Sequence, residues 1–327
     1  MREILGDAIG ATRATASAVV SDLLGRHAKD PLAERDPGYI RETLAASSRL
    51  AKLYFRPKVR GLERIPAEGP VLLVGNHSGG TLIADTFAFS YAFYNRFGPD
   101  RLFFQLAHDF VFRVPGLLPL RRYGTIPANH ENAMRALERG AALLVYPGGD
   151  HETYRPSWHS GEIDFGHRTG FVRLALRADV PIVPLVAVGG QETALFLTRG
   201  ERIARLLGLH RLLRIDVVPI QIAPPFGVTV LDLPGRIPLP SQITVQALPE
   251  IDLRRRFGPD PDVEAVYNAV TTMMQEELDE LSAERDLPIL GRLGRRSDDS
   301  EVVDELEHGG LEREVESAIE SEERHSG

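Results

Sequence analysis

The sequence predicts an α/β protein, a sheet with helices on both faces. Short apolar runs recur at 71–75, 102–106, 141–146, 182–188 and 243–247. Helical patterns fall between several of them, at 81–96, 129–139 and 168–178. The chain's 327 residues, 43% hydrophobic and 26% charged, suffice for one large globular domain or two modest ones.

Residues 3–26 read as a helix, because Ile4, Ala8, Ala11, Ala14 and Ala18 recur at helical spacing. A second helix over 38–54 carries Ile40, Leu44, Leu50 and Leu53. Segment 1–56 is therefore expected to be a helical hairpin. It either packs on the body or lies in a membrane plane, where Arg13, Arg26, Lys52 and Arg56 suit an anionic surface. Residues 57–290 hold the α/β domain. The run Val71–Gly75 is short and apolar, as a buried strand requires. Residues 147–166 read as a long polar loop, and 221–241, rich in Pro and Gly, as an irregular surface loop. Val180-Pro181-Ile182-Val183-Pro184 reads as a buried strand, and 260–284 as a closing helix. Residues 291–327 form an acidic tail with the composition of a disordered segment, with transient helix at 311–323.

Charge is unevenly placed. The formal net charge is −8, yet residues 298–327 hold twelve Asp or Glu against two Arg, so the rest of the chain is near neutral to slightly basic. The absence of cysteine excludes disulfides, a cysteine nucleophile and thiolate metal sites. No apolar run approaches the roughly 20 residues of a membrane-spanning helix. The N-terminus lacks the apolar core of a signal peptide. Any membrane contact is expected to be peripheral, from the cytoplasmic side. There is no G-x-G, no Gly-Lys-Ser/Thr, no nucleophile elbow around Ser78 and no H-E-x-x-H.

Four blocks carry chemistry. The first is Asn76-His77-Ser78-Gly79-Gly80 at the end of a strand, with Asp85 eight residues after the histidine. Histidine as a class exchanges protons near neutral pH, so His77 suits general base work, with Asp85 to orient it. The second is Gly116-Leu117-Leu118-Pro119-Leu120-Arg121-Arg122, where an arginine fork suits phosphate. In the third, Tyr146-Pro147-Gly148-Gly149-Asp150-His151-Glu152, the glycines let backbone N–H groups face a ligand. The fourth is the proline-flanked strand 180–185.

In this order and spacing, the blocks resemble the phosphate and glycerolipid acyltransferase superfamily over roughly residues 57–250. Gly61–Pro66 ahead of the His77 strand, and Arg168 with Gly170-Phe171, fit the same pattern. The chain departs from the family pattern in three places. Leu82 stands where the family's aspartate is usual, five residues after the histidine, and Asp85 takes its place. Pro119 replaces an aromatic. The third block reads Pro-Gly-Gly-x-x-Glu, closer to type-2 diacylglycerol acyltransferase relatives.

The resemblance implies the glycerolipid acyltransferase fold, a mixed, largely parallel sheet flanked by helices. It implies acyl transfer from acyl-CoA or acyl carrier protein to a lipid hydroxyl such as a lysophospholipid or glycerolipid. His77 and Asp85 would be catalytic. Ser78, Gly79, Gly80, Gly116, Arg122, Pro147, Gly148, Gly149, Glu152 and Arg168 would bind substrate, with backbone N–H groups near the two glycine pairs holding an oxyanion. No cofactor, metal or nucleic acid is expected. Three rivals remain. They are a hydrolase using the same His and Asp, a metal-dependent hydrolase using His151, Glu152, His159, Asp164 and His167, and a non-catalytic lipid-binding protein.

Overall fold

The computed structural model describes residues 30–80, 83–113, 115–206, 217–232 and 236–285. The predicted helix 3–26 and the acidic tail beyond residue 290 lie outside them. The chain enters through α1 (Pro37–Phe55), β1 (Lys58–Arg60), β2 (Val71–Gly75) and α2 (Ala84–Phe97). It continues through β3 (Phe103–Ala107), β4 (Thr125–Pro127), α3 (His130–Glu138), β5 (Ala142–Val145), α4 (Gly149–Thr153) and α5 (Gly170–Ala178). There follow β6 (Ile182–Val188), β7 (Leu195–Thr198), α6 (Glu201–Leu206), β8 (Ile220–Ala223) and β9 (Gly227–Val230). Last come β10 (Thr244–Ala247), α7 (Leu253–Phe257) and α8 (Val263–Ala283).

Seven strands form the main sheet in the order β1-β10-β6-β2-β5-β3-β4. β6, β2, β5, β3 and β4 run parallel. β10 is antiparallel to β6, and β1 is parallel to β10. The sheet is thus mixed and largely parallel, as expected.

β2 explains how the layers form. All five of its residues are buried, and successive side chains point to opposite faces. Leu72 and Val74 join the cluster under α3, α5 and α8, with Leu137, Val172 and Leu278. Val71 and Leu73 join the cluster under α1 and α2, with Ile40, Phe89 and Phe93. A strand covered on both faces reads as an unbroken apolar run. Helix starts are set by side-chain caps: Asp36 accepts from Tyr39 N–H, Asn129 from Asn132 N–H and Asp262 from Ala265 N–H.

Two expectations need correction. Segment 221–241 is not irregular throughout, because β7, β8 and β9 form a separate antiparallel sheet. Of the prolines that suggested a loop, Pro224 and Pro225 lie in the β8–β9 turn, while Pro238 and Pro240 do lie in an irregular stretch over 236–243. Likewise, 147–166 is not only loop, since it holds α4 and a 3-10 turn at Ser157–His159.

Candidate active site

β2 lies between β5 and β6 and runs parallel to both. The turns after these three strands therefore leave at one carboxyl edge, where open α/β sheets bind ligands. They are Asn76–Gly80, Tyr146–Gly149 and Gly189–Gln191. Asn76 fastens the first turn to β6, donating to Ala187 O at 2.9 Å and accepting from Ala187 N–H at 2.7 Å.

His77 and Asp85 meet. His77 Nδ1 lies 3.0 Å from Asp85 Oδ2. Within the eight-residue gap, Gly79 and Gly80 have φ of +90° and +68° and Ile83 has φ of +45°. A β-branched residue rarely adopts such a backbone, so Ile83 stores strain beside the pair. Asp85 is 1% exposed and stands in the first turn of α2, where helix N–H groups favour a carboxylate. It also accepts from Ser78 N–H at 3.0 Å, Thr86 N–H at 2.7 Å and Thr86 Oγ1 at 3.3 Å. A carboxylate held by four donors cannot swing, so it fixes the imidazole.

The ring of His77 stacks on Tyr146, with centroids 4.2 Å apart and planes 18° apart. Burial, reinforced by the charge of Asp85, pushes the Tyr146 phenol well above its ordinary range. It therefore stays neutral, in contact with Thr86 Oγ1 at 2.8 Å. Gly75 makes room for this ring, since a Cβ there would lie 2.7 Å from Tyr146 Cε1.

The His77 peptide is clamped from beneath. Its N–H donates to Glu152 Oε2 at 2.9 Å, and its carbonyl accepts from Arg155 Nη2 at 3.2 Å. Glu152 and Arg155 form a buried pair, Oε1 to Nη1 3.5 Å. Burial pushes the Glu152 carboxyl up to about 7, although Arg155 and the N–H groups of His77 and Asp164 pull the other way. Gln191 ties Arg155 O to Gly79 N–H.

Several expected roles change with this geometry. Glu152 is fully buried, so it faces the His77 backbone rather than a substrate. Gly79 N–H is engaged by Gln191 and Gly149 N–H by Tyr146 O, so neither amide is a free oxyanion donor. Ser78 is buried, with its Oγ unpartnered beside Gly190. Gly80 lies against Phe196 and Asp232. Gly116 belongs to the 3-10 segment Pro115–Tyr123, as does Arg122. Arg122 pairs with Asp36 at 2.5 Å and covers the Tyr39 ring at 3.8 Å, so its fork is engaged at the start of α1. Arg168 does meet the third block, donating to Gly148 O at 2.8 Å and Pro147 O at 3.4 Å and pairing with Asp150 at 3.3 Å. The five metal-ligand candidates disperse. His151 pairs with Asp164, His159 with Glu162, and His167 stacks on Tyr267. Among the described residues no group of three or more such side chains converges.

Sequence reading gave Asn76 no role of its own and missed Thr86, Arg155 and Gln191. Only Arg155 left a signal, standing one helical turn after Glu152.

The acyltransferase family model matches residues 56–188, the segment that carries β2, α2, β5 and the clamp. Over that stretch the chain is similar to the acyltransferase family. Two similar relatives extend the comparison. An uncharacterized protein of Mycobacterium tuberculosis is 33% identical over 58% of this chain and 51% of its own. The human DGAT1/2-independent enzyme synthesizing storage lipids is 31% identical over 59% of this chain and 57% of its own. The chain thus spans about half the length of the curated relatives it matches. The crystal structure of PlsC, the 1-acyl-sn-glycerophosphate acyltransferase of Thermotoga maritima, aligns with TM-score 0.48 and 16% identity, covering 80% of this chain and 86% of that one.

Proposed function

We propose that this protein moves a fatty acyl group from a thioester, acyl-CoA or acyl carrier protein, to a lipid hydroxyl, with His77 as general base. The observation that supports this reading best is the 3.0 Å contact between His77 Nδ1 and an almost fully buried Asp85 at the end of a central strand. With Nδ1–H donated to the carboxylate, Nε2 keeps its lone pair. That atom takes the proton of the acceptor hydroxyl as its oxygen attacks the thioester carbonyl. The tetrahedral intermediate then collapses, the C–S bond breaks, and the imidazolium returns the proton to the departing sulfur. Such general base catalysis contributes ~10²–10⁴-fold. Asp85 holds the tautomer and offsets the positive charge that forms on the ring. Tyr146 limits ring rotation by stacking.

The acceptor is proposed to be a glycerolipid or lysophospholipid, by analogy with the storage-lipid enzyme that the chain resembles. Arg168, half-exposed over the Pro147-Gly148-Gly149 turn, is the proposed contact for a phosphate on donor or acceptor.

The test incubates the protein with radiolabelled palmitoyl-CoA and a panel of glycerol-3-phosphate, lysophospholipids, diacylglycerol and long-chain alcohols. Label entering one lipid, and lost in His77→Ala, is the expected result. Label appearing only as free fatty acid would replace this reading with a hydrolase. No turnover by either protein would remove the catalytic reading.

A further inference from the structure

We propose that the outer face of the β7–β8–β9 sheet docks this protein on an anionic lipid bilayer. The three strands contain no charged residue. Their inner face is closed, with Phe196, Gln221 and Ala223 all buried. Leu195, Ile222 and Val228 stand opposite one another across the strands, so they share the outer face. They are 43%, 37% and 65% exposed, and Val230, on the same face as Val228, is 55% exposed. An antiparallel sheet with one buried face ordinarily turns polar residues to water on the other. This one turns aliphatic residues. Phe226 adds an exposed ring in the β8–β9 turn. Trp158 is exposed on a turn tied to β7 by Phe196 N–H donating to Ser157 Oγ at 2.9 Å. Apolar surface concentrated in this way marks an interaction site.

Charge selects the occupant. The sequence between β7 and β8 includes residues 202–214, which hold four arginines, six Leu or Ile and no Asp or Glu. Two of those arginines, Arg202 and Arg205, lie exposed on α6, directly after β7. A charge-free apolar face followed in the chain by the exposed Arg202 and Arg205 of α6 matches hydrocarbon under anionic headgroups, and Trp suits the boundary. The sheet is also keyed to the His77 turn. Gln221 donates to Asp232 at 2.8 Å, Asp232 pairs with Arg236 at 2.7 Å, and Arg236 donates to Gly79 O. Docking there brings the proposed base to the phase that holds a lipid hydroxyl. That last link rests on the acyl-transfer reading, whereas the docking itself does not.

Flotation of the full chain with phosphatidylcholine vesicles, with and without phosphatidylglycerol, tests this. Wild type is expected to float with the anionic vesicles and far less with the neutral ones. Val228→Asp with Val230→Asp should cut the bound fraction at least ~10-fold. Because both side chains are exposed, the thermal midpoint should hold, and Phe226→Ser provides a milder second variant. Arg202→Glu with Arg205→Glu should weaken anionic binding and flatten its salt dependence. His77→Ala should float like wild type, so docking and acyl transfer fail separately. Wild type that ignores anionic vesicles, or binding unchanged by the Val228 and Val230 substitutions, overturns the proposal. So does light scattering in which those substitutions split an oligomer while vesicle binding persists.

Discussion

Glu152 links the buried clamp to pH. Burial holds its carboxyl near 7, against an ordinary value of 4.5. Between those values the folded protein keeps a proton that the unfolded chain releases. Its contribution to stability is therefore complete below about 4.5 and is lost as pH rises through about 7. Glu152→Gln removes the titration. Its melting temperature relative to wild type should become more positive from about pH 5 to about pH 8, read by calorimetry. A gap that stays constant with pH would mean an unshifted carboxyl. Asp85→Asn belongs to the same scale. It keeps the size of the side chain but weakens the hold on the His77 tautomer, and turnover on the accepted lipid should fall on the order of 10²–10⁴-fold; the melt should fall as well, because the NH2 that replaces one buried oxygen cannot accept from the Ser78 or Thr86 N–H. A fall of only a fewfold would move the orienting role elsewhere. His77 and Asp85 were legible in the sequence because they lie eight residues apart. Arg155 and Gln191 were not, because separate turns supply them and only the sheet brings them together.

At the scale of elements, the strand-end turn is the part that glycine makes. Gly79 and Gly69 both have left-handed backbones, at φ +90° and +77°. They differ in their surroundings. A Cβ on Gly79 would lie 2.5 Å from Gly190 O, whereas one on Gly69 meets nothing within 4 Å. Gly69→Ala should therefore carry only the backbone cost, about 1–2 kcal/mol, with turnover intact. Gly79→Ala should cost more and should also move His77, lowering turnover on the same lipid. Equal effects of the two on denaturation and on activity would detach this turn from the site. The apolar runs 71–75 and 182–188 were readable because both faces of those strands are covered. β1 and β4 are three-residue edge strands, too short for any period to register. The β7–β9 sheet escaped because its apolar outer face hides the alternation that marks a half-buried strand.

Across the whole molecule, two apolar layers sandwich the main sheet, and the site lies at the edge where three of its parallel strands end. α8 closes one of those layers. Val266, Val270, Leu278 and Leu281, which with Val263 and Met273 marked 260–284 as a closing helix in the sequence, are buried along its length, as is Met274. They pack in the cluster that holds Leu72 and Val74 of β2, the strand that leads into His77. Arg285, just past α8, pairs with Glu192 at 2.7 Å, and Glu192 lies between the ends of β6 and β7. The helix thus braces the sheet beneath the site and the segment beside it. Leu278→Ala should remove about 2–5 kcal/mol of unfolding free energy, since Leu278 is fully buried in the core cluster. The denaturant midpoint should fall while the slope stays constant, as for a cavity in an otherwise unchanged fold. Turnover per folded molecule should be nearly unaffected below the new transition, because the clamp on His77 is built from α4, β2 and the turn after β6. Loss of turnover well below the transition would show instead that α8 sets the position of β2 and, through it, of the base.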